Sequence, residues 1–359
     1  MLLSDRHQMG SRLTQARVLS IKIVAMISKS IAKRVGVIFL SLFLIFVFIV
    51  VLLGWGGIIR ARHVQVNDRI ASSPKTGFYV AAEDTRMFVQ RVGQSNAPVV
   101  MFVHGTGAWS EIWRPYMNQV AGMGYQAMAI DLPPFGYSIP PKSGSYDRVA
   151  QAKRILSALD SMGIQQATFV SHSIGSGPLM EALLRQPGRV TKLVLVSPAL
   201  GLDSPRTDGP ESIWQRLLRE RWFTEPVSAS ILTNPLFTTA LVKYFVVEKD
   251  KVTDEWVNLY RQPLSLSGSY QNVALWLPEL LARRTALKSD NPEFYKSITF
   301  PVVLIWGTSD PITPMSQAEH LHALIPGSEL VVLPGGHVPM IEEPEQFSAL
   351  LAKALRRIQ

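Results

Sequence analysis

From residue 78 onward the sequence alternates short apolar runs with amphipathic stretches, and this rhythm limits the folds open to the chain. Runs at 78–82 and 86–92 read as a hairpin. Further strands are predicted at 98–103, 126–130, 167–170, 189–196, 301–306 and 329–333. Helices are predicted at about 109–121, 146–162, 174–185, 316–324 and 345–357. Strands that are apolar throughout and separated by helices imply an α/β domain with a mainly parallel sheet covered on both faces. In such sheets, sites form where polar residues follow the carboxyl ends of strands. The rhythm fails over 201–297, which holds helical pieces broken by proline and no clear strand. A helical insertion between two strands of one sheet reads as a cap over that edge. Four tryptophans there, Trp214, Trp222, Trp256 and Trp276, suggest an apolar cavity beneath it, although tryptophans more often simply pack.

A second feature lies upstream. Residues 35–53 (VGVIFLSLFLIFVFIVVLL) carry neither charge nor proline. As a helix they would reach roughly 28 Å, close to the hydrocarbon thickness of a bilayer. Trp55 follows at an interfacial position, and the exit GWGGIIRAR lacks a small-residue cleavage pattern. An uncleaved transmembrane helix is therefore expected. Residues 1–34 hold seven Lys and Arg against one acid, which favours an N-terminus inside the cytoplasm and a catalytic domain on the outer side. The expected organisation is a basic tail (1–34), a membrane span (35–53), a linker (54–76), the first part of an α/β core (77–200), a helical cap (201–297) and the rest of the core (298–359).

That tail accounts for most of the net charge of +9. No basic stripe or zinc spacing remains to suggest nucleic-acid binding. The chain has no cysteine, which excludes disulfides and thiolate chemistry.

The stretch FVSHSIGSG (169–177) ends a predicted strand and opens a helix at once. So abrupt a turn needs small residues two places before and after its apex. Ser171 and Gly175 fill those places around Ser173. The turn should strain the backbone of Ser173, lift its hydroxyl above the sheet and leave the Ile174 N–H free beside it. Ser171 stands where the G-x-S-x-G pattern has glycine. The bland alternative is a serine N-cap.

A serine nucleophile needs a base, and the base an orienting acid. Of the seven histidines, His337 follows the last strand in LPGGHVPMIEEP and is the best placed base. His172 is expected to point into the fold, and His320 and His322 to lie on a helix surface. Asp310 in GTSDPITP follows a strand and precedes the histidine, which makes it the candidate acid, with Asp203 as the fallback. An oxyanion needs fixed N–H donors. Ile174 supplies one, and Thr106 in HGTG (104–107) the second, with His104 and Gly105 shaping the loop.

These segments, with DLPPFGYS (131–138) and GGHVPMIEEPEQF (335–347), resemble the α/β-hydrolase superfamily from about 78 to 357. The resemblance is to the capped branch containing epoxide hydrolases, haloalkane dehalogenases, haloperoxidase-like esterases and carbon–carbon bond hydrolases. It implies the α/β-hydrolase fold, the order nucleophile–acid–base found here as Ser173, Asp310, His337, and no cofactor or metal. Serine at 173 speaks against the epoxide and haloalkane enzymes, which use aspartate there. The expectation is a membrane-anchored serine esterase acting on a small, apolar acyl substrate. Acyl transfer or perhydrolysis, carbon–carbon hydrolysis, and a non-catalytic interaction protein of the same fold stand as alternatives.

Overall fold

The computed structural model describes residues 41, 48–49, 51–202, 212–281 and 287–356. Among them eight strands form one sheet: β1 (Gly77–Ala82), β2 (Thr85–Val92), β3 (Val99–Val103), β4 (Gln126–Ile130), β5 (Ala167–His172), β6 (Val190–Val196), β7 (Val302–Gly307) and β8 (Glu329–Leu333). The sheet order is β1-β2-β4-β3-β5-β6-β7-β8. The β1–β2 and β2–β4 pairs are antiparallel and the rest are parallel. Because β4 lies on one side of β3 and β5 on the other, the chain reverses direction across the sheet there. The loops leaving β3 and β5 therefore open side by side.

Alternation along each strand builds a core on either face. Met101 and Val103 of β3 join Phe169 of β5 on one side; Val100 and Phe102 join Val170 on the other. The first face is covered by α3 (Arg148–Ser161), α4 (Ser176–Arg185) and α11 (Met315–Leu324), which contribute Ile155, Leu159, Leu179, Leu183 and Leu321. The second is covered by α2 (Arg114–Gly122) and α13 (Pro344–Arg356) through Met117, Val120, Leu351 and Leu355. Asp147 caps α3 by accepting the Ala150 N–H at 2.9 Å, so the helix begins just inside its predicted start.

Between β6 and β7 the described chain is helical: α5 (Ile213–Leu217), α6 (Arg221–Val227), α7 (Pro235–Phe245), α8 (Asp254–Arg261), α9 (Ser269–Leu281) and α10 (Pro292–Lys296). These helices meet the core at the loops beyond the strand ends. The Trp109 indole N–H donates to the Leu259 carbonyl, and the Tyr146 hydroxyl to the Asn272 side chain. The Trp276 ring meets Phe135 edge-on at 4.8 Å.

Two expectations need correction. Residues 54–76 were expected to form a linker, yet residues 51–64 are helical (α1). The stretch from Gly56 onward packs into the domain. Gly57 and Ala61 give α1 a flat side that lies on Ser230, Ala229 and Tyr270 of the insertion. Small residues allow that close approach, so a segment that looks like a glycine-rich spacer is a docking surface. The second correction concerns the tryptophans. Trp214 and Trp222 are exposed, Trp256 packs against the core from half-buried cover, and Trp276 lines a cleft. The expected span at 35–53 lies mostly outside the described residues. Among those described, no helix is long and apolar enough to cross a membrane.

Candidate active site

The β5 strand ends at His172, and Ser173–Gly175 forms one tight helical turn before α4. Ser173 has φ of +52°, a left-handed conformation that a serine adopts only when its surroundings enforce it. The enforcement is visible two residues on. A Cβ on Gly175 would collide with the His104 carbonyl oxygen, so glycine alone fits where the β3 loop crosses the turn. Ser171 is fully buried, and its hydroxyl exchanges a 2.8 Å hydrogen bond with that of Ser176.

Ser173, Asp310 and His337 come together. Asp310 Oδ2 lies 2.9 Å from His337 Nδ1. A carboxylate only accepts, so Nδ1 carries the proton and Nε2 presents a lone pair. That Nε2 is 2.7 Å from Ser173 Oγ. Asp310 is itself fixed: Oδ1 accepts the backbone N–H groups of Ile312 and Thr313, and Oδ2 accepts the Thr313 hydroxyl at 2.7 Å. Burial works against its charge, but the His337 and Thr313 hydrogen bonds outweigh it and hold Asp310 below the usual carboxylate range. The serine hydroxyl does not stand free above the sheet as expected. Ser173 keeps 5% exposure, because the Gly105 backbone abuts it on one side and the His337 ring closes on the other. Asp203, the fallback acid, lies outside the described residues.

Thr106 follows Gly105 in the loop beside Ser173, and Ile174 occupies the first turn of the helix. The first N–H groups of a helix lack intrahelical acceptors. Ile174 directly follows the nucleophile, and Gly105, the neighbour of Thr106, abuts it. His104 holds this loop in place: its Nε2 accepts the Leu132 N–H at 2.8 Å, which puts the proton on Nδ1, 2.8 Å from the Gly105 carbonyl. Burial depresses its pKa to about 4, so His104 is a neutral brace between the β3 and β4 loops. His172 is likewise buried and neutral, its pKa lowered to about 3 by burial and the nearby His337. Its Nε2–H donates to the His337 carbonyl at 2.8 Å. His322 lies on the surface as expected and bonds Ser328.

A narrow cleft adjoins the turn. Gly105 and Ile174 line its inner end; Leu132, Pro133, Phe135, Pro178 and Trp276 supply apolar walls. Its polar rim is largely engaged elsewhere. Arg148 bonds Asp290 at 2.7 Å and the Leu200 carbonyl at 2.8 Å, and the Gln151 amide donates to the Pro133 carbonyl.

The fold and this set of side chains define a known class. Residues 98–344 match the alpha/beta hydrolase fold family, and the chain belongs to it. Among its relatives is a 2-hydroxymuconate semialdehyde hydrolase from Pseudomonas sp. (strain CF600), 27% identical over 79% of this chain and 95% of that one. Among solved structures, an esterase from Exiguobacterium antarcticum superposes with a TM-score of 0.62 at 22% identity, covering 78% of this chain and 99% of its own. A membrane phospholipase A described as a bacterial virulence factor does so with a TM-score of 0.62 at 21% identity, covering 88% and 97%. These structural likenesses speak to the fold.

Proposed function

We propose that this protein is a membrane-anchored serine hydrolase that cleaves an ester with an apolar acyl group. The observation that carries the reading is the continuous hydrogen-bonded line Asp310–His337–Ser173, in which the carboxylate, an acceptor only, sets the His337 tautomer and turns its Nε2 lone pair towards the serine. In the mechanism, His337 Nε2 removes the Ser173 proton as Oγ attacks the acyl carbon. Asp310 holds the ring and stabilises the imidazolium that forms. The N–H groups of Ile174 and Thr106 receive the oxyanion; losing one such donor typically costs about 3 kcal/mol of transition-state stabilisation. His337 returns the proton to the leaving alcohol. Water, activated by the same imidazole, then releases the acyl group.

The apolar cleft beside Ile174 suits the acyl chain. The names of an esterase and a membrane phospholipase among the structural neighbours fit this reading. The uncharged run at 35–53 supports a membrane anchor with the catalytic domain on the outer side. Carbon–carbon hydrolysis is the second reading, favoured by the sequence relative named for a semialdehyde substrate.

The test is reaction of the purified chain with a fluorophosphonate probe and with p-nitrophenyl esters of graded acyl length. Wild type should label and turn over, and Ser173→Ala should do neither while keeping its circular dichroism spectrum. An unlabelled, well-folded wild type overturns the proposal.

A further inference from the structure

A buried carboxylate outside the triad joins the histidine loop to the insertion. Glu342 ends the short helix α12 (Pro339–Glu342) and is wholly buried. Its Oε1 accepts the Gly336 N–H at 2.7 Å. Its Oε2 accepts the Val247 N–H at 2.7 Å and the Glu248 N–H at 3.2 Å. Gly336 immediately precedes His337, whereas Val247 and Glu248 belong to the chain leaving α7. A second bond runs in parallel: the His337 N–H donates to the Phe245 carbonyl at 2.9 Å. The contact is tight, since a Cβ on Gly336 would lie 2.9 Å from Glu342 Oε1 and 3.0 Å from the Phe245 carbonyl oxygen. The backbone at 336–337 is thus held at three points. His172 grips the His337 carbonyl, and the other two points depend on the α7 exit.

We infer that Glu342 is a positioning residue which makes the α7 exit and the His337 loop one unit, so that the imidazole meets Ser173 only while α7 is seated. The inference rests on the proposed serine-hydrolase reading. The physical reason is donor–acceptor matching. One carboxylate satisfies three N–H groups from two segments, and charged acceptors make the stronger hydrogen bonds. Glutamine cannot do this: its oxygen serves one segment, while its NH₂ meets the other segment's N–H.

The test uses the full-length chain in detergent with Glu342→Gln, Val247→Pro and the double variant. Proline at 247 removes one of the N–H groups from the other side of the clamp. Val246 has φ −111° and ψ 153°, a conformation that a following proline accepts. Each single variant should lower kcat about 10-fold or more with KM changed less than 3-fold, and should slow fluorophosphonate labelling in parallel. The double variant should lose little beyond the worse single one. Glu342→Asp should recover part of the rate, since a carboxylate can still reach one segment. Unchanged kcat and labelling in folded Glu342→Gln overturns the inference, as do losses that simply multiply in the double variant. Should Glu342→Gln not fold, unchanged kcat in Val247→Pro overturns it. A wild type that fails to label is a different failure: it removes the serine-hydrolase reading and this inference with it.

Discussion

At the strand ends, the side chains that face one another are buried and bonded from several directions. Asp310 accepts four hydrogen bonds, His104 braces two loops, and His337 lies between Asp310 and Ser173. The helices inserted between β6 and β7 are finished differently. Their outer side leaves Ile213, Trp214, Trp222 and Leu236 between 65% and 79% exposed. The insertion is held to the core by Val242, Val246, Val257 and Tyr260, buried in one cluster with the sheet, and by hydrogen bonds such as Trp109 to Leu259, Tyr146 to Asn272 and Phe245 to His337. Geometry at the strand ends is dictated by sheet register and backbone turns, so a small change there is felt at once. Geometry in the insertion is set by local anchors, so its remaining surface can change freely.

The sharpest challenge to that contrast is Asp310→Asn. An amide at this position offers an N–H where His337 needs an acceptor, which favours the wrong tautomer. Ester turnover should fall about 10⁴-fold with the fold intact, measured as kcat/KM beside a thermal melt. Trp276→Ala addresses a tryptophan of the insertion that meets Phe135 of the core and lines the cleft. Opening the wall against Phe135 should move the preferred acyl length upward and change relative kcat/KM between neighbouring chain lengths about 10-fold, read from the ester series. A length profile identical to wild type would remove Trp276 from the acyl site.

His104→Gln tests whether the strand-end brace works as a neutral group. Its pKa falls from 6.5 to about 4 on burial, so between those values the unfolded chain binds a proton that the folded chain does not. Stability should therefore fall as pH drops from about 6.5 towards 4, by up to about 1.4 kcal/mol per pH unit from this residue. Glutamine offers the same donor and acceptor without titrating. Urea melts across this range should show the variant's pH slope flatter by that amount, since the other groups cancel in the comparison. Smallest of all is Trp222→Ala, which should change the unfolding free energy read from urea melts by no more than about 0.5 kcal/mol, because the side chain stands mostly in solvent. A loss of several kcal/mol would show that the outer side of the insertion is structurally committed after all.

Much of the strand-end region is legible in the sequence. The strands at 126–130 and 329–333 are read to the residue, and the others to within one or two residues at either end. The reason is that a buried parallel strand is a dense apolar run with a polar stop, and the site residues are those stops. Ser173 is found because its neighbours must be small, and His337 because glycines precede it. The insertion resists the same treatment. Nothing local distinguishes Trp276, which faces a cleft, from Trp222, which faces water; the difference lies in which helix surface meets Phe135. Glu342 hides for a related reason. In the pair Glu342-Glu343, spacing alone does not tell which carboxylate turns inward. Residues 54–64 mislead more directly, since glycines that commonly mark a spacer here permit helix packing.

That packed helix has a mechanical consequence. Arg60 donates to the Ala229 carbonyl, Gln65 pairs with Thr233 and the Tyr270 N–H, and Asn67 is stitched to Ser265 and Ser267, before Arg69 finally reaches the Gly136 carbonyl. A pull applied from the amino-terminal side would thus be loaded onto the inserted helices first, and onto the sheet only after those fastenings gave way.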